Sequence, residues 1–123
     1  MLGQAKLDTV VLFVSSLERS IAFYRDTLGL EVAPMDGRPF AVAQAGPVSL
    51  VFIQRQARAG ETPIAVFSLP AGIDDCAQAL AAKGVEIVVP VSEAPDGGLS
   101  LDFLDPDGNV LSLYQPAGAP RSG

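Results

Sequence analysis

The sequence contains the same order of predicted elements twice, and this duplication limits the possible folds more than any other feature. In the first half, an apolar, β-branched strand at 7–14 precedes a helix and three shorter strands. The second half repeats this order, from a strand at 63–69 to a last strand at 110–115. The segment LGLEVAP also resembles KGVEIVVP, which aligns Gly29 with Gly84. Two copies are too few for a solenoid, so we expect two βαβββ modules packed side by side.

The module boundaries follow from composition. We expect a single domain, in which module one spans 6–54 and module two spans 63–116. The polar, glycine-containing segment 55–62 between them is predicted to be a linker. The proline- and glycine-containing segment 117–123 is predicted to be a flexible tail. The resulting fold class is α+β.

Local signals mark the ends of several elements. Ser15 and Glu18 have the spacing of a capping box, which predicts Ser15 as the N-cap of the first helix. Gly29 follows the last apolar position of that helix, where a glycine commonly ends a helix. Turn sequences at 35–39 and 105–109 separate the later strands.

Composition excludes several classes of protein. The net charge is −6 and the eight Lys and Arg residues are dispersed, which argues against a nucleic-acid-binding face. No apolar run approaches the roughly 20 residues that span a membrane, and the N-terminus lacks a signal-peptide pattern, so we expect a cytoplasmic protein. The chain has no histidine, which removes Ser–His–Asp and Cys–His catalysis. Cys76 is therefore predicted to be a small core residue.

Two stretches of the sequence resemble a known family. The stretch DTVVLFVSSLERSIAFYRDTLGLEV at 8–32 and the stretch FLDPDGNVLSLYQ at 103–115 resemble the vicinal oxygen chelate superfamily of glyoxalase I, bleomycin-resistance proteins and extradiol dioxygenases. The resemblance covers about residues 6–116. It implies two βαβββ modules that form a curved, eight-stranded mixed sheet around a pocket.

The resemblance also implies positions for a divalent metal, which enzymes of the family bind through His and Glu on four strands. These positions fall at Thr9, Leu50, Ile64 and Ser112. Val51 and Ala65 are the alternatives to Leu50 and Ile64, and aligning Val48 with Val110 pairs Leu50 with Ser112 in the repeat. Neither hydroxyl nor aliphatic side chains match the ligands that these metals prefer. We therefore expect no metal site, no cofactor and no catalytic residue.

A pocket without a metal is still expected to bind a small organic ligand, aromatic or cationic, because apolar walls with a few polar groups are typical of such sites. The residues predicted to line it are Thr9, Gln44, Leu50, Phe52, Gln54, Ile64, Ser68, Asp102, Ser112 and Tyr114. Each of the polar residues could equally bond to nearby backbone, and Phe52 could equally belong to the core.

The sequence therefore favours a metal-independent binding protein similar to bleomycin-resistance members of the family, which implies a homodimer. A divergent glyoxalase-like lyase or isomerase, or a dioxygenase-related enzyme, is the first alternative. It would need an acid or base, for which Tyr24, Glu61, Asp102 and Tyr114 are the candidates. A structural or accessory subunit without a ligand is the second alternative.

Overall fold

The structure, a computed structural model, describes residues 2–34, 39–56, 61–104, 106 and 109–123. The turns expected at 35–39 and 105–109 and the linker expected at 55–62 lie partly outside the described residues. The chain divides into two compact units. The first unit comprises Asp8–Ile64, and the second comprises Met1–Leu7 and Ala65–Gly123.

The elements of the first half are four strands and one helix. Their bounds are β1 Lys6–Val14, α1 Leu17–Ala22, β2 Glu31–Pro34, β3 Phe40–Ala45 and β4 Val48–Gln54, with a π-helical segment Phe23–Thr27 continuing α1. The strand order is β2-β3-β4-β1. The β1–β4 pair is parallel, and the β2–β3 and β3–β4 pairs are antiparallel.

The second half has the same arrangement. Its elements are β5 Ile64–Ser68, α2 Ile73–Ala82, β6 Ile87–Glu93, β7 Leu99–Leu104 and β8 Val110–Gln115. The strand order is β5-β8-β7-β6, in which β5 and β8 are parallel and the other pairs are antiparallel. The predicted α+β class with two βαβββ modules is thus confirmed. Gly29 and Gly84, aligned in the repeat, both have positive φ after the helices, as this kind of helix end requires.

Each helix packs on one face of its own strands. In the first unit, Phe52 is fully buried and its ring centroid lies 4.5 Å from that of Tyr24, on the helical segment that follows α1. In the second unit, Ile73 and Leu80 of α2 pack with Leu101 of β7 and other apolar residues of the strands. Cys76 packs against this cluster, as predicted. The strand faces opposite α1 and α2 are therefore the ones that remain for binding.

A glutamine at the end of the last strand of each unit forms a hydrogen bond with the first residue of the helix. The Gln54 side-chain oxygen Oε1 accepts a hydrogen bond from the backbone N–H of Leu17 at 2.9 Å, and Gln115 Oε1 accepts one from Ile73 N–H at 2.9 Å. Leu17 and Ile73 are the first residues of α1 and α2. For α1, the N-cap is Ser16 rather than the expected Ser15, because the Ser16 hydroxyl accepts from the N–H three residues later.

The C-terminal segment, which the sequence predicts to be flexible, bonds to the start of α2 in the structure. The carbonyl oxygens of Pro120 and Arg121 accept hydrogen bonds from Gly72 N–H and Asp74 N–H, at 2.8 and 2.9 Å. The Arg121 guanidinium donates two further hydrogen bonds to the Asp74 carboxylate, each at 2.9 Å. The physical reason is that Gly72, the N-cap, has no side chain to bond the first N–H groups of the helix, so backbone carbonyls of the tail do so.

Among the described residues, no helix has the length and apolar character needed to cross a membrane.

Candidate ligand-binding faces

The sheet face opposite α2 brings together four of the predicted pocket residues, all of them in the second unit. Because side chains alternate along a strand, Leu111, Leu113 and Gln115 of β8 point towards α2, whereas Ser112 and Tyr114 point the other way. The strand register places Ser112 between Asp102 of β7 and Val66 of β5, and Tyr114 between Ser100 and Ser68. The predicted residues that share this face are Ser68, Asp102, Ser112 and Tyr114. Ile64, the first residue of β5, is the last residue of the first unit.

Asp102 and Ser112 form a hydrogen-bonded pair at the centre of this face. Asp102 is half-buried, and burial raises the pKa of its carboxyl above the ordinary value of 3.8, because a carboxylate loses hydration there. The hydrogen bond from Ser112 acts in the opposite direction and lowers that pKa. Ser112 is only 6% exposed. Its hydroxyl also lies 3.4 Å from the carbonyl oxygen of Leu113, which is long for a hydrogen bond.

Tyr114 is held in place by the turn between β6 and β7. Its hydroxyl donates a 2.5 Å hydrogen bond to Asp96 Oδ2, and Asp96 Oδ1 accepts from Gly98 N–H at 2.9 Å. A Cβ atom on Gly98 would lie 2.6 Å from a carbon of the Tyr114 ring and 2.6 Å from the Gln115 carbonyl oxygen. Glycine at position 98 therefore makes room for the ring. Burial, together with the bond to Asp96, raises the pKa of Tyr114, so this phenol stays neutral around pH 7.

In the first unit, the face opposite α1 contains two of the predicted residues. Thr9 of β1 pairs with Ser49 of β4, and Ser49 pairs with Gln44 of β3. The Thr9 hydroxyl donates to Asp8 Oδ1 at 2.9 Å. The Gln44 amide donates to the carbonyl oxygen of Gly46 at 3.0 Å and accepts from the Ser49 hydroxyl at 3.1 Å, so its side chain stabilises its own hairpin.

Three more predicted residues of this unit, all on β4, lie on the opposite face, towards α1. Leu50 and Phe52 belong to the core cluster with residues of α1, and Gln54 bonds to the first residue of that helix. Leu50 therefore does not share a face with Thr9, and the alternative Val51 does. The equivalent glutamines give the physical reason for this correction: aligning Gln54 with Gln115 shifts the repeat by one residue.

With that shift, Val51 corresponds to Ser112, and Leu50 to Leu111, which also faces its helix. The signal was present in the sequence, since a glutamine ends the last strand of both modules. Identical polar residues at equivalent strand ends would have fixed the alignment without the structure.

The residues at the family metal positions do not fit a divalent metal. Thr9 and Ser112 offer hydroxyls, one bonded to Asp8 and the other to Asp102, and Val51 and Ile64 are aliphatic. Zinc, iron and nickel sites use imidazole, thiolate or carboxylate groups, and magnesium and calcium sites use several oxygens with at least one carboxylate as a rule. In the part of the chain that the structure describes, no three His, Cys, Asp or Glu residues lie together in a group suited to a metal ion.

Two βαβββ units, each with a parallel pair between its first and last strands and a helix on one face, define the class of glyoxalase-like proteins. The solved structures that this chain resembles agree. The hypothetical protein BH1468 from Bacillus halodurans C-125 superposes with a TM-score of 0.69 at 14% identity, over 91% of this chain and 94% of that one. A methylmalonyl-CoA epimerase in complex with methylmalonyl-CoA gives a TM-score of 0.68 at 16% identity, over 94% and 96% of the two chains.

A third similar structure is larger than this chain. The 2,3-dioxygenase LapB from Pseudomonas sp. KL28 gives a TM-score of 0.64 at 13% identity, and the match covers 94% of this chain but 43% of that one. At these identities the likeness concerns the fold. No curated protein sequence gives a significant match.

The family model for the Glyoxalase/Bleomycin resistance protein/Dioxygenase superfamily matches residues 6–113. The chain belongs to this superfamily. The sequence-based assignment to the same family is thereby confirmed.

Proposed function

We propose that the chain is a metal-independent protein that binds a small organic molecule, as bleomycin-resistance members of the superfamily do. One observation carries this proposal: the family metal positions present two hydroxyls and two aliphatic side chains, which do not suit a metal. The polar groups near them lie on otherwise apolar strands. A mostly apolar surface with a few hydrogen-bonding groups is what small-molecule sites commonly offer.

The environment of the candidate acids and bases favours binding over catalysis. The Tyr114 hydroxyl donates a hydrogen bond to Asp96 and has a raised pKa, so it keeps its proton and is a poor base at neutral pH. Glu61 lies 3.5 Å from Arg55 in an ion pair, and Tyr24 packs in the core. Asp102 remains, and its hydrogen-bond partner is a serine hydroxyl. General acid–base catalysis needs a group placed against the reacting atom with a pKa near the working pH.

The expected homodimer is part of the proposal. β6 is an edge strand, and its residues Val88 and Val89 are exposed, so a second copy could cover this edge. Light scattering at micromolar protein concentration tests this point. A mass of two chains supports the dimer, and a mass of one chain contradicts it.

The binding function is tested by a thermal-shift screen of aromatic, peptide-like and cationic compounds with two variants. A compound at 100 times its Kd adds about 2.7 kcal/mol, or roughly 10 °C for a chain of this size. Ser100→Trp fills the face beside Tyr114 and should abolish the shift. Glu93→Trp, on an exposed position of β6, is the matched control and should retain it. If the same compounds stabilise both variants equally, the ligand does not bind on the face opposite α2.

A further inference from the structure

Asp102 is a carboxylate in an unusual place for a charged group. It lies inside strand β7, half-buried, between Ser112 of β8 and Val89 of β6. On the same sheet face as Asp102, Val89 is its partner on β6, and Val66 of β5 is the partner of Ser112 on the next strand but one. A carboxylate in such surroundings is costly unless it is bonded or paired with a cation.

Hydrogen bonding at Asp102 is incomplete relative to what a carboxylate can accept. Two carboxylate oxygens offer about four acceptor positions, and Ser112 supplies one donor. Among the described residues, no Lys or Arg contributes to the electrostatic environment of Asp102. The second unit has three described cationic residues: Lys6 begins β1, Lys83 follows the end of α2, and Arg121 forms an ion pair with Asp74 at the start of α2.

Tyr114, the polar residue on the same face of β8 as Ser112, is fixed in place. The Tyr114 hydroxyl is committed to Asp96, and the space that Gly98 leaves holds its ring on this face. The carboxylate of Asp102 is therefore the one charged group among the described residues of strands β5, β7 and β8 on this face. The net charge of −6 adds a long-range attraction for cations.

We propose, on the basis of the binding function proposed above, that Asp102 and Ser112 form the subsite that anchors a protonated amine of the ligand. The ammonium group donates hydrogen bonds to the carboxylate, and Ser112 orients the carboxylate. The apolar part of the ligand lies against Val66 and the ring of Tyr114. The ligand class is thus an organic amine with an apolar or aromatic body.

The experiment uses benzylamine, which is cationic at neutral pH, and benzyl alcohol, which has the same ring without the charge. Each is titrated into the isotopically labelled full-length protein, and backbone amide shifts are followed by NMR. Asp102→Asn removes the charge at nearly constant shape. Glu93→Gln is the matched control, since it changes the net charge equally at an exposed position on β6.

We expect benzylamine to shift the amides of β7 and β8 and to bind wild type more tightly than benzyl alcohol does. Asp102→Asn should weaken benzylamine binding about tenfold or more, as loss of a charge-assisted hydrogen bond does, and Glu93→Gln should leave it within about twofold. Benzyl alcohol should bind all three proteins alike.

Two results would overturn the proposal. If benzylamine and benzyl alcohol bind with equal affinity and Asp102→Asn changes neither affinity, Asp102 anchors no cation. Binding of both compounds would still support the proposed small-molecule-binding function. If benzylamine shifts no amide of β7 or β8 at millimolar concentration, the subsite is absent. Failure of the binding function itself is a different result: no organic compound in the thermal-shift screen stabilises the protein.

Discussion

Replacing each of the two equivalent glutamines by methionine compares the same hydrogen bond in a buried and an exposed setting. Gln115 is 1% exposed, and it bonds both Ile73 N–H at 2.9 Å and the Ala119 carbonyl oxygen at 3.0 Å. Gln54 is exposed and bonds Leu17 N–H at the same distance of 2.9 Å. Methionine has a similar volume and cannot make these bonds, so the packing change is small in both variants.

The expected magnitudes follow from burial. A net hydrogen bond contributes about 1 kcal/mol, and a buried N–H left without an acceptor costs about 1–3 kcal/mol more. Gln115→Met should therefore lower the free energy of unfolding by about 2–4 kcal/mol, or roughly 8–16 °C in Tm. Gln54→Met should cost about 0.5–1 kcal/mol, because water can bond the exposed Leu17 N–H and Ser16 still caps α1.

Urea unfolding of the two variants and wild type measures the difference, and hydrogen exchange at the Ile73 amide gives an independent check. Faster exchange at Ile73 should accompany the loss in Gln115→Met only. Equal losses of stability in the two variants, or a loss below about 1 kcal/mol in Gln115→Met, would refute the reasoning that burial makes this cap important.

Three further predictions concern the turn, the half-buried carboxyl and the tail. Gly98→Ala places a Cβ against Tyr114 and the Gln115 carbonyl and should cost about 1–3 kcal/mol in urea unfolding, whereas Gly3→Ala, with open space around it, should change stability by under about 0.5 kcal/mol. The pKa of Asp102 is raised in the fold, so its contribution to stability is fully present below the unfolded-state pKa of 3.8 and is lost as pH rises through the folded-state pKa. The Tm of Asp102→Asn minus the Tm of wild type should therefore increase as pH rises from 4 towards neutrality. A Tm difference that does not depend on pH would contradict this. Truncation after Pro116 should speed hydrogen exchange at the Gly72 and Asp74 amides but leave that of Cys76, which bonds within α2, nearly unchanged; unchanged exchange at all three would contradict the role of the tail.

The element order was predictable from the sequence because the local signals agree with the fold. β-branched strands, glycines after both helices and turn residues occur at the same places in both modules. The faces of β8 were also predictable, since polar Ser112 and Tyr114 alternate there with leucines that face α2.

The faces of β4 were not predictable from alternation, because VSLVFIQ is apolar on both sides at its centre. Apolar character does not distinguish Leu50 from Val51; the alignment of Gln54 with Gln115 and the packing of Leu50 against α1 do. The hydrogen bonds of the tail were not predictable for a related reason. Its composition is typical of a frayed end, and its partner is a helix start more than forty residues away that lacks a capping side chain.

Gln54 illustrates how a polar residue at the end of an apolar strand can suggest a pocket when it serves the backbone. Its position in the sequence is as consistent with ligand binding as with capping. In the structure, Gln54 accepts a hydrogen bond from Leu17 N–H at the start of α1. Gln44 likewise bonds to backbone, at Gly46 in its own hairpin. Asp102 and Ser112 differ from these two, because they bond to each other on a strand face and not to a helix end or a turn.

Metal independence is the central claim, and equilibrium dialysis of the chelator-treated protein against manganese, iron(II), nickel and zinc tests it most directly. The metal content per chain is measured after dialysis, for wild type and for Thr9→Val and Ser112→Ala. No stoichiometric metal is expected in any of the three proteins. One tightly held metal per chain in wild type that is lost in either variant would contradict it, and would favour a glyoxalase-like enzyme instead.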